Sequence, residues 1–347
     1  MRLNRLPRIG VAIVALGVIV LLSALVLRST GGAKDPGLRT DDIGPQAQAP
    51  TAYAHLERFQ ALAEEHGDRA AGTPGYEAAA RYVEEQLAEA GFQSTRQYFT
   101  FEDHGEAIES FNIIAETTGG DEDNVIMLGA HLDGVPDSPA INDNATGAAA
   151  LLAAATEISQ QDEPANKVRF AWWGAEEYFP ETHGSEHYVQ DLVENDNEAL
   201  ETIAAYLNFD MVASPNPIIG VYDARGSADG HGYLEVPDGS KEIMEVFTDY
   251  FDSREQPWVP TEWNFASDQL AFIEKDVAVG GLFTGSSERK TDRQALLFGG
   301  TAGRPRDPNY HFSGDDLGNV DPEALSLMTD AITHAATTLA QDTEPLQ

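Results

Sequence analysis

From Ala52 onward the apolar positions switch repeatedly between two spacings. AHLERFQALAEEHG and YEAAARYVEEQLAEAG place them at helical intervals, each closed by a glycine suited to a helix C-cap. FNIIAET and NVIMLGAH are short apolar runs rich in β-branched residues, the pattern of strands buried on both faces. ATGAAALLAAATEI then reads as a small-residue helix, KVRFAWWGAEE and AAYLNFDM as strands, DVAVGGLF as another strand, and DPEALSLMTDAITHAATTLA as a closing helix. The alternation predicts an α/β sandwich with a largely parallel central sheet. In such sheets ligands gather at the carboxyl ends of the strands.

The first thirty residues break from this pattern. Arg2, Arg5 and Arg8 precede Ile9–Leu27, which contains no charged residue. At about 1.5 Å rise per residue that run spans roughly 28 Å, close to the roughly 30 Å of a bilayer core. It ends in LVLRSTGG, a poor cleavage site, so residues 1–28 are expected to be a retained signal anchor, with a cleaved signal peptide as the alternative. Residues 29–50, rich in Gly, Pro and polar residues, read as a flexible linker, and residues 51–347 as the folded domain. The positive N-terminus points inward and puts that domain outside the cytoplasm, held at the cell membrane or, after cleavage, secreted. The protein is expected to fractionate with membranes and to be released by protease acting at residues 29–50. A mature N-terminus near residue 30 in the soluble extracellular fraction would contradict the anchor.

Composition then narrows the function. A chain of 347 residues, 42% hydrophobic, can bury one large core or two ordinary ones. A formal charge of −37 repels nucleic acid and anionic membrane surfaces, so neither is an expected partner. Lysine is scarce and the acids are spread along the chain, a pattern suited to solubility at high ionic strength. With no cysteine there are no disulfides, and a metal must be held by nitrogen and oxygen.

The polar residues at strand ends supply candidate chemistry. His131 and Asp133 follow NVIMLGA, Glu176 and Glu177 follow KVRFAWWGA, and Asp210 follows AAYLNF. Asp143 precedes the helix ATGAAALL, and His311 lies in DPNYHFSGDD before the last helix. Taken singly, each has an ordinary reading: a loop histidine, a solvated acidic pair, a helix N-cap. Among them, two histidines, two aspartates and one or two glutamates would converge on one sheet edge from segments far apart in sequence. Buried carboxylates at that density need a cation. One divalent ion would leave excess negative charge, whereas two ions bridged by a carboxylate balance it.

The motifs GAHLDG…INDNATGAAALL, FAWWGAEE, YLNFDMVASPNP, VGGLFTG and YHFSGDD stand in the order found in a known family. Over roughly residues 55–340 the sequence resembles the M28 zinc metallopeptidases, most closely the secreted streptomycete-type aminopeptidases. The resemblance implies a three-layer sandwich with a mostly parallel central mixed sheet, here preceded by the one N-terminal transmembrane helix. It implies two Zn2+ per chain, one held by His131 and Asp210, the other by Glu177 and His311, with Asp143 bridging. It further implies Glu176 as general base, Asp133 as the partner orienting His131, Tyr310 as a donor to the oxyanion, and a cis peptide at Asp143–Asn144. Positions matching Met211 and Phe283 line the side-chain pocket in relatives, which implies apolar first residues such as leucine. The substrates would be peptide or protein N-termini, cut by a metal-bridging hydroxide, and the chain would act as a monomer.

Some features depart from the family pattern. YFPETH at 178–183 is two residues longer than the usual linker, so a loop near the site has changed. Ala266 stands where close relatives carry an arginine near the substrate. Asn309 and Gly314 occupy positions that form a disulfide in some relatives, and Ser326 and Asp330 replace a calcium-binding pair, so no calcium site is expected. Three rival readings share the architecture. A single-zinc glutaminyl cyclase lacks the NDNATG pattern, a carboxypeptidase or dipeptidase carries an inserted dimerisation domain, and a catalytically silent ectodomain would have lost ligands.

Overall fold

The computed structural model describes residues 51–226, 236–263, 267–344 and 346. The chain runs through α1 (Ala52–His66), α2 (Pro74–Glu89), β1 (Ser94–Asp103), β2 (Glu106–Glu116), β3 (Asp121–His131) and α3 (Thr146–Ser159). It continues through β4 (Asn166–Trp173), α4 (His183–Asn195), α5 (Asn197–Glu201), β5 (Ile203–Phe209), β6 (Gly220–Tyr222) and α6 (Ser240–Ser253). β7 (Val259–Thr261), α7 (Gln269–Ile273), β8 (Ala278–Phe283), α8 (Asp292–Phe298) and α9 (Pro322–Gln341) complete it. Among the described residues no helix is long and apolar enough to cross a membrane, and the run Ile9–Leu27 lies outside them.

Among the described residues eight strands form one sheet in the order β1-β2-β4-β3-β5-β8-β6-β7. Its centre, β4-β3-β5-β8, is parallel, while β2 joins β4 and β6 joins β8 antiparallel, so the sheet is mixed. Alternate residues of the central strands feed two cores. Ile126, Leu128, Val168, Phe170, Trp172, Leu207 and Phe209 pack with residues of α1, α2, α3, α6 and α9 on one face. Met127, Ala171, Trp173 and Tyr206 pack with residues of α4, α5 and α7 on the other. Burial on both faces is why these strands read as unbroken apolar runs.

Helix ends follow local chemistry. The Thr51 and Thr73 side chains cap α1 and α2, Gly67 closes α1 at φ 100°, and Asp321 caps α9 ahead of Pro322. β2 contains the strand expected at FNIIAET, whereas its edge partner β1 falls outside the elements expected from the sequence, and the two form a hairpin. The hairpin turns at His104–Gly105, both at positive φ (49° and 84°), between the paired residues Asp103 and Glu106.

One core residue carries a pH signature. His55 on α1 is 1% exposed, its Nδ1 meets the Tyr82 hydroxyl at 2.7 Å, and its Nε2 has no partner. Burial lowers its pKa from 6.5 to about 4. The unfolded chain therefore binds a proton near pH 6.5 that the folded chain refuses until about pH 4. Stability should fall as pH drops through that window, by about 3 kcal/mol at pH 4. Urea melts of wild type and His55→Phe at pH 7 and pH 4 measure it. The variant should lose that much less on acidification, and equal losses would contradict the assignment.

Candidate metal centre

The sheet register lines up the strand ends that bear the candidate residues. His131, last in β3, pairs with Trp173, last in β4, and Gly129 pairs with both Ala171 and Asn208. Asp210 therefore leaves β5 beside His131. After Trp173 the chain turns through Ala175 at φ 61°. That turn presents the backbone N–H groups of Glu176 and Glu177 to the Asp133 carboxylate, at 3.2 and 3.3 Å. Consecutive strand residues point to opposite faces; here the turn lets both glutamate side chains reach the histidines.

Asp143 arrives on the turn Ile141–Ala145, between β3 and α3, and its peptide bond to Asn144 is cis. The Asn144 side chain donates to Phe209 O at 2.9 Å and accepts from Gly147 N and Met211 N at 2.9 and 3.1 Å. Gly147 permits this close approach, since a Cβ there would lie 2.1 Å from Phe209 O. Tyr310 and His311 come from the loop before α9, His311 at φ 62°, with their rings stacked at 3.9 Å.

The side chains then meet in two groups. His131 Nε2 lies 3.4 Å from Asp143 Oδ1, 3.4 Å from Asp210 Oδ1 and 3.9 Å from Glu176 Oε2. His311 Nε2 lies 3.1 Å from Asp143 Oδ2 and 3.0 Å from Glu177 Oε2. His131 and the four carboxyl groups are buried, whereas the His311 side chain is 34% exposed and marks the open side.

The electrostatics describe a site short of positive charge. Burial opposes protonation of His131, yet Glu176 and Asp210 outweigh it and raise its pKa well above the ordinary value. At His311 burial is likewise overcome by Asp143 and Glu177, and the pKa rises to about 10. Burial, then Asp143, pushes Glu177 up to about 8. Burial also raises Glu176, whereas hydrogen bonds from the two histidines overcome it at Asp143 and hold that carboxyl at about 2. Protons are gathered where the carboxylates crowd, and a divalent cation would displace them.

The donor set fits zinc. Zinc–ligand bonds of about 2.0–2.1 Å put tetrahedral neighbours about 3.3 Å apart, and the shortest histidine–carboxylate distances are 3.0–3.4 Å. Glu177 Oε1 is buried with no hydrogen-bond partner, an orphaned acceptor that a cation would satisfy. Among the described residues two groups could each hold an ion: His131, Glu176 and Asp210, and His131, Asp143 and Glu177. Proximity alone thus admits Glu176 as a ligand, although it stands farther from His131 than Asp143 and Asp210 do.

The Peptidase family M28 model matches residues 112–336, well over half of the chain. The chain belongs to peptidase family M28. It is 44% identical over 236 residues to an aminopeptidase of Pseudomonas aeruginosa, an alignment covering 68% of this chain and 42% of that protein. It is 45% identical over 226 residues to leucine aminopeptidase 2 of Trichophyton rubrum, covering 65% and 44%. The chain thus spans less than half the length of these curated relatives. Its fold is similar to that of a zinc aminopeptidase from Bacillus subtilis, with TM-score 0.68 and 15% identity over 86% of this chain and 98% of that one. It is also similar to that of a glutaminyl cyclase from Porphyromonas gingivalis, with TM-score 0.62 and 16% identity over 83% and 97%.

Within this M28 domain one expected partner differs in detail. The Asp133 carboxylate stands 3.8 Å from His131 Nδ1, whose nearer partner is the Asp133 main-chain oxygen at 3.2 Å. The carboxylate itself grips the backbone of the two glutamates. Met211 and Phe283 lie in an apolar cluster with Tyr222 and Trp263, against which Tyr310 packs. The Tyr222 ring stacks on Trp263 at 4.8 Å; neither residue stands out in sequence. Asn309 and Gly314 are neighbours, a Cβ on Gly314 falling 2.6 Å from Asn309 Oδ1. Ala266 lies outside the described residues.

Sequence reasoning also missed the scaffold behind the donors. Asp315 accepts from Asn142 N and Asp143 N at 2.8 and 3.0 Å, and Asp307 accepts from the Asn142 side chain at 2.6 Å. Asn319 donates to both carboxylates, at 2.9 and 3.0 Å. The acidic character of HFSGDD was the available signal, but the partners are backbone groups some 170 residues away in sequence.

Proposed function

We propose that the chain is a di-zinc aminopeptidase that removes N-terminal residues, apolar ones such as leucine foremost, from peptides. The observation that carries this is Asp143. Its two oxygens face different imidazoles, His131 at 3.4 Å and His311 at 3.1 Å, and each imidazole has a further carboxylate beside it. One carboxylate shared between two donor groups suits two ions. On this reading His131 and Asp210 would hold one zinc and Glu177 and His311 the other, with Asp143 shared between the two sites. Bound there, the ions would supply Lewis acidity and ease deprotonation of water near neutral pH.

The chain's own residues do the rest. Glu176, buried beside His131, takes a proton from the attacking water and returns it to the departing amine. Burial keeps the Tyr310 hydroxyl protonated, so it can donate to the developing oxyanion. The surrounding carboxylates attract a free α-ammonium, which favours cutting the first residue. The apolar cluster of Met211, Tyr222, Trp263 and Phe283 suits an apolar first side chain, and one relative is named a leucine aminopeptidase.

A glutaminyl-cyclase-like enzyme shares the fold, so substrate decides between them. Leucine p-nitroanilide should be cleaved, its N-acetyl derivative should not, and a chelator should abolish the activity until zinc is restored. Cyclisation of N-terminal glutamine without peptide hydrolysis, or chelator-insensitive cleavage, would overturn the proposal.

A further inference from the structure

Arg69 lies in the corner between α1 and α2, is fully buried, and has no role in the chemistry above. Its guanidinium spends its donors on main-chain carbonyls. One nitrogen donates to Leu132 O, a second to Ala140 O at 2.6 Å, and Nε to Pro139 O at 3.4 Å. Leu132 directly follows His131, and Ala140 stands three residues before Asp143. Arg69 therefore ties the end of β3 to the turn that carries Asp143. Its neighbour helps, since the Asp68 carboxylate accepts from Asp137 N at 3.2 Å, and on the other side Asp315 accepts from Asn142 N and Asp143 N. Burial lowers the Arg69 pKa to about 10, while Asp133, Asp315, Asp143 and Glu177 favour the charged form, so it stays charged at neutral pH.

A buried guanidinium is costly, and its fork is normally matched to a carboxylate. Here the fork spans two loops, a geometry a lysine ammonium cannot reproduce because it is a point charge on a flexible stem. We propose that Arg69 is a positioning residue that fixes the spacing between His131 and Asp143, and holds it in the metal-free protein. The inference rests on the two-ion reading of the site.

Charge and geometry act in opposite directions on zinc, which makes the role testable. A nearby cation repels zinc, so removing only the charge would tighten binding. Losing the spacing would weaken it. Zinc affinity is measured by competition with a chromophoric chelator, on protein whose near-UV circular dichroism shows it folded. Arg69→Lys, which keeps the charge but loses the fork, should bind zinc about 10–100-fold more weakly, as on losing partners that orient metal ligands. Arg69→Met should bind more weakly as well. Affinity equal to or tighter than wild type in both variants, with only a lower melting temperature, would overturn the proposal and leave Arg69 a plain structural strut.

Amide hydrogen exchange of wild type needs no variant to fold. Protection across residues 132–143 should persist when zinc is chelated, and its collapse would equally overturn the role. If wild-type zinc content instead fails to reach two per chain, the reading of the site fails, whatever the variants do.

Discussion

Glu176→Gln should leave both zinc ions bound and KM near wild type while turnover falls about 10²–10⁴-fold, the usual effect of losing a general base. Glutamine keeps the size and much of the hydrogen-bonding shape but cannot accept the proton. The backbone should not move, because the Asp133 carboxylate holds the N–H groups of residues 176 and 177 whatever side chains they bear. Glu177→Gln should behave differently. Glu177 Oε2 lies 3.0 Å from His311 and its Oε1 is an orphaned acceptor, so on the proposed reading amidation would weaken a direct metal bond. That variant should lose occupancy at one ion and regain activity with added zinc. Because Glu176 also stands among donors that could hold an ion, metal analysis is decisive. If Glu176→Gln loses metal while Glu177→Gln keeps both ions and is inactive, the two roles are reversed.

Asp143→Ala should cost both ions at once. Each imidazole loses its shared partner, and the remaining carboxylates face one another with fewer cations between them. Zinc at 100 times its Kd should stabilise wild type by about 2.7 kcal/mol per site. The variant should gain little, and thermal melts with and without zinc read the difference. A variant that still gains the wild-type increment would show that Asp143 is not the bridge.

The central strands were legible because both faces are buried, so β3, β4 and β5 read as apolar runs. The polar residues at or just beyond their ends, His131, Glu176 and Asp210, were legible for the same reason, since the apolar runs stop there although these side chains are themselves buried. β1 was not legible. Of its ten residues only Phe99 and Phe101 are buried, because it lies at the sheet edge, and the one local signal was the His104–Gly105 turn. Arg69, Asp307 and Asp315 were hidden for a different reason. They act on main-chain groups or on amide side chains far away in sequence, so nothing near them along the chain marks their task. The Glu176–Glu177 pair sits between these cases. Its position was readable, but the means by which both side chains face inward, Ala175 at φ 61° with Asp133 gripping the backbone, is a property of the folded turn.

Zinc content per folded chain tests most directly whether the site is built for two ions around one shared carboxylate. Metal-free protein titrated with zinc, and analysed after removal of weakly bound metal, should saturate at two ions per chain, with aminoacyl-nitroanilide cleavage appearing as they bind. Saturation at one ion, with full activity, would contradict a two-ion site.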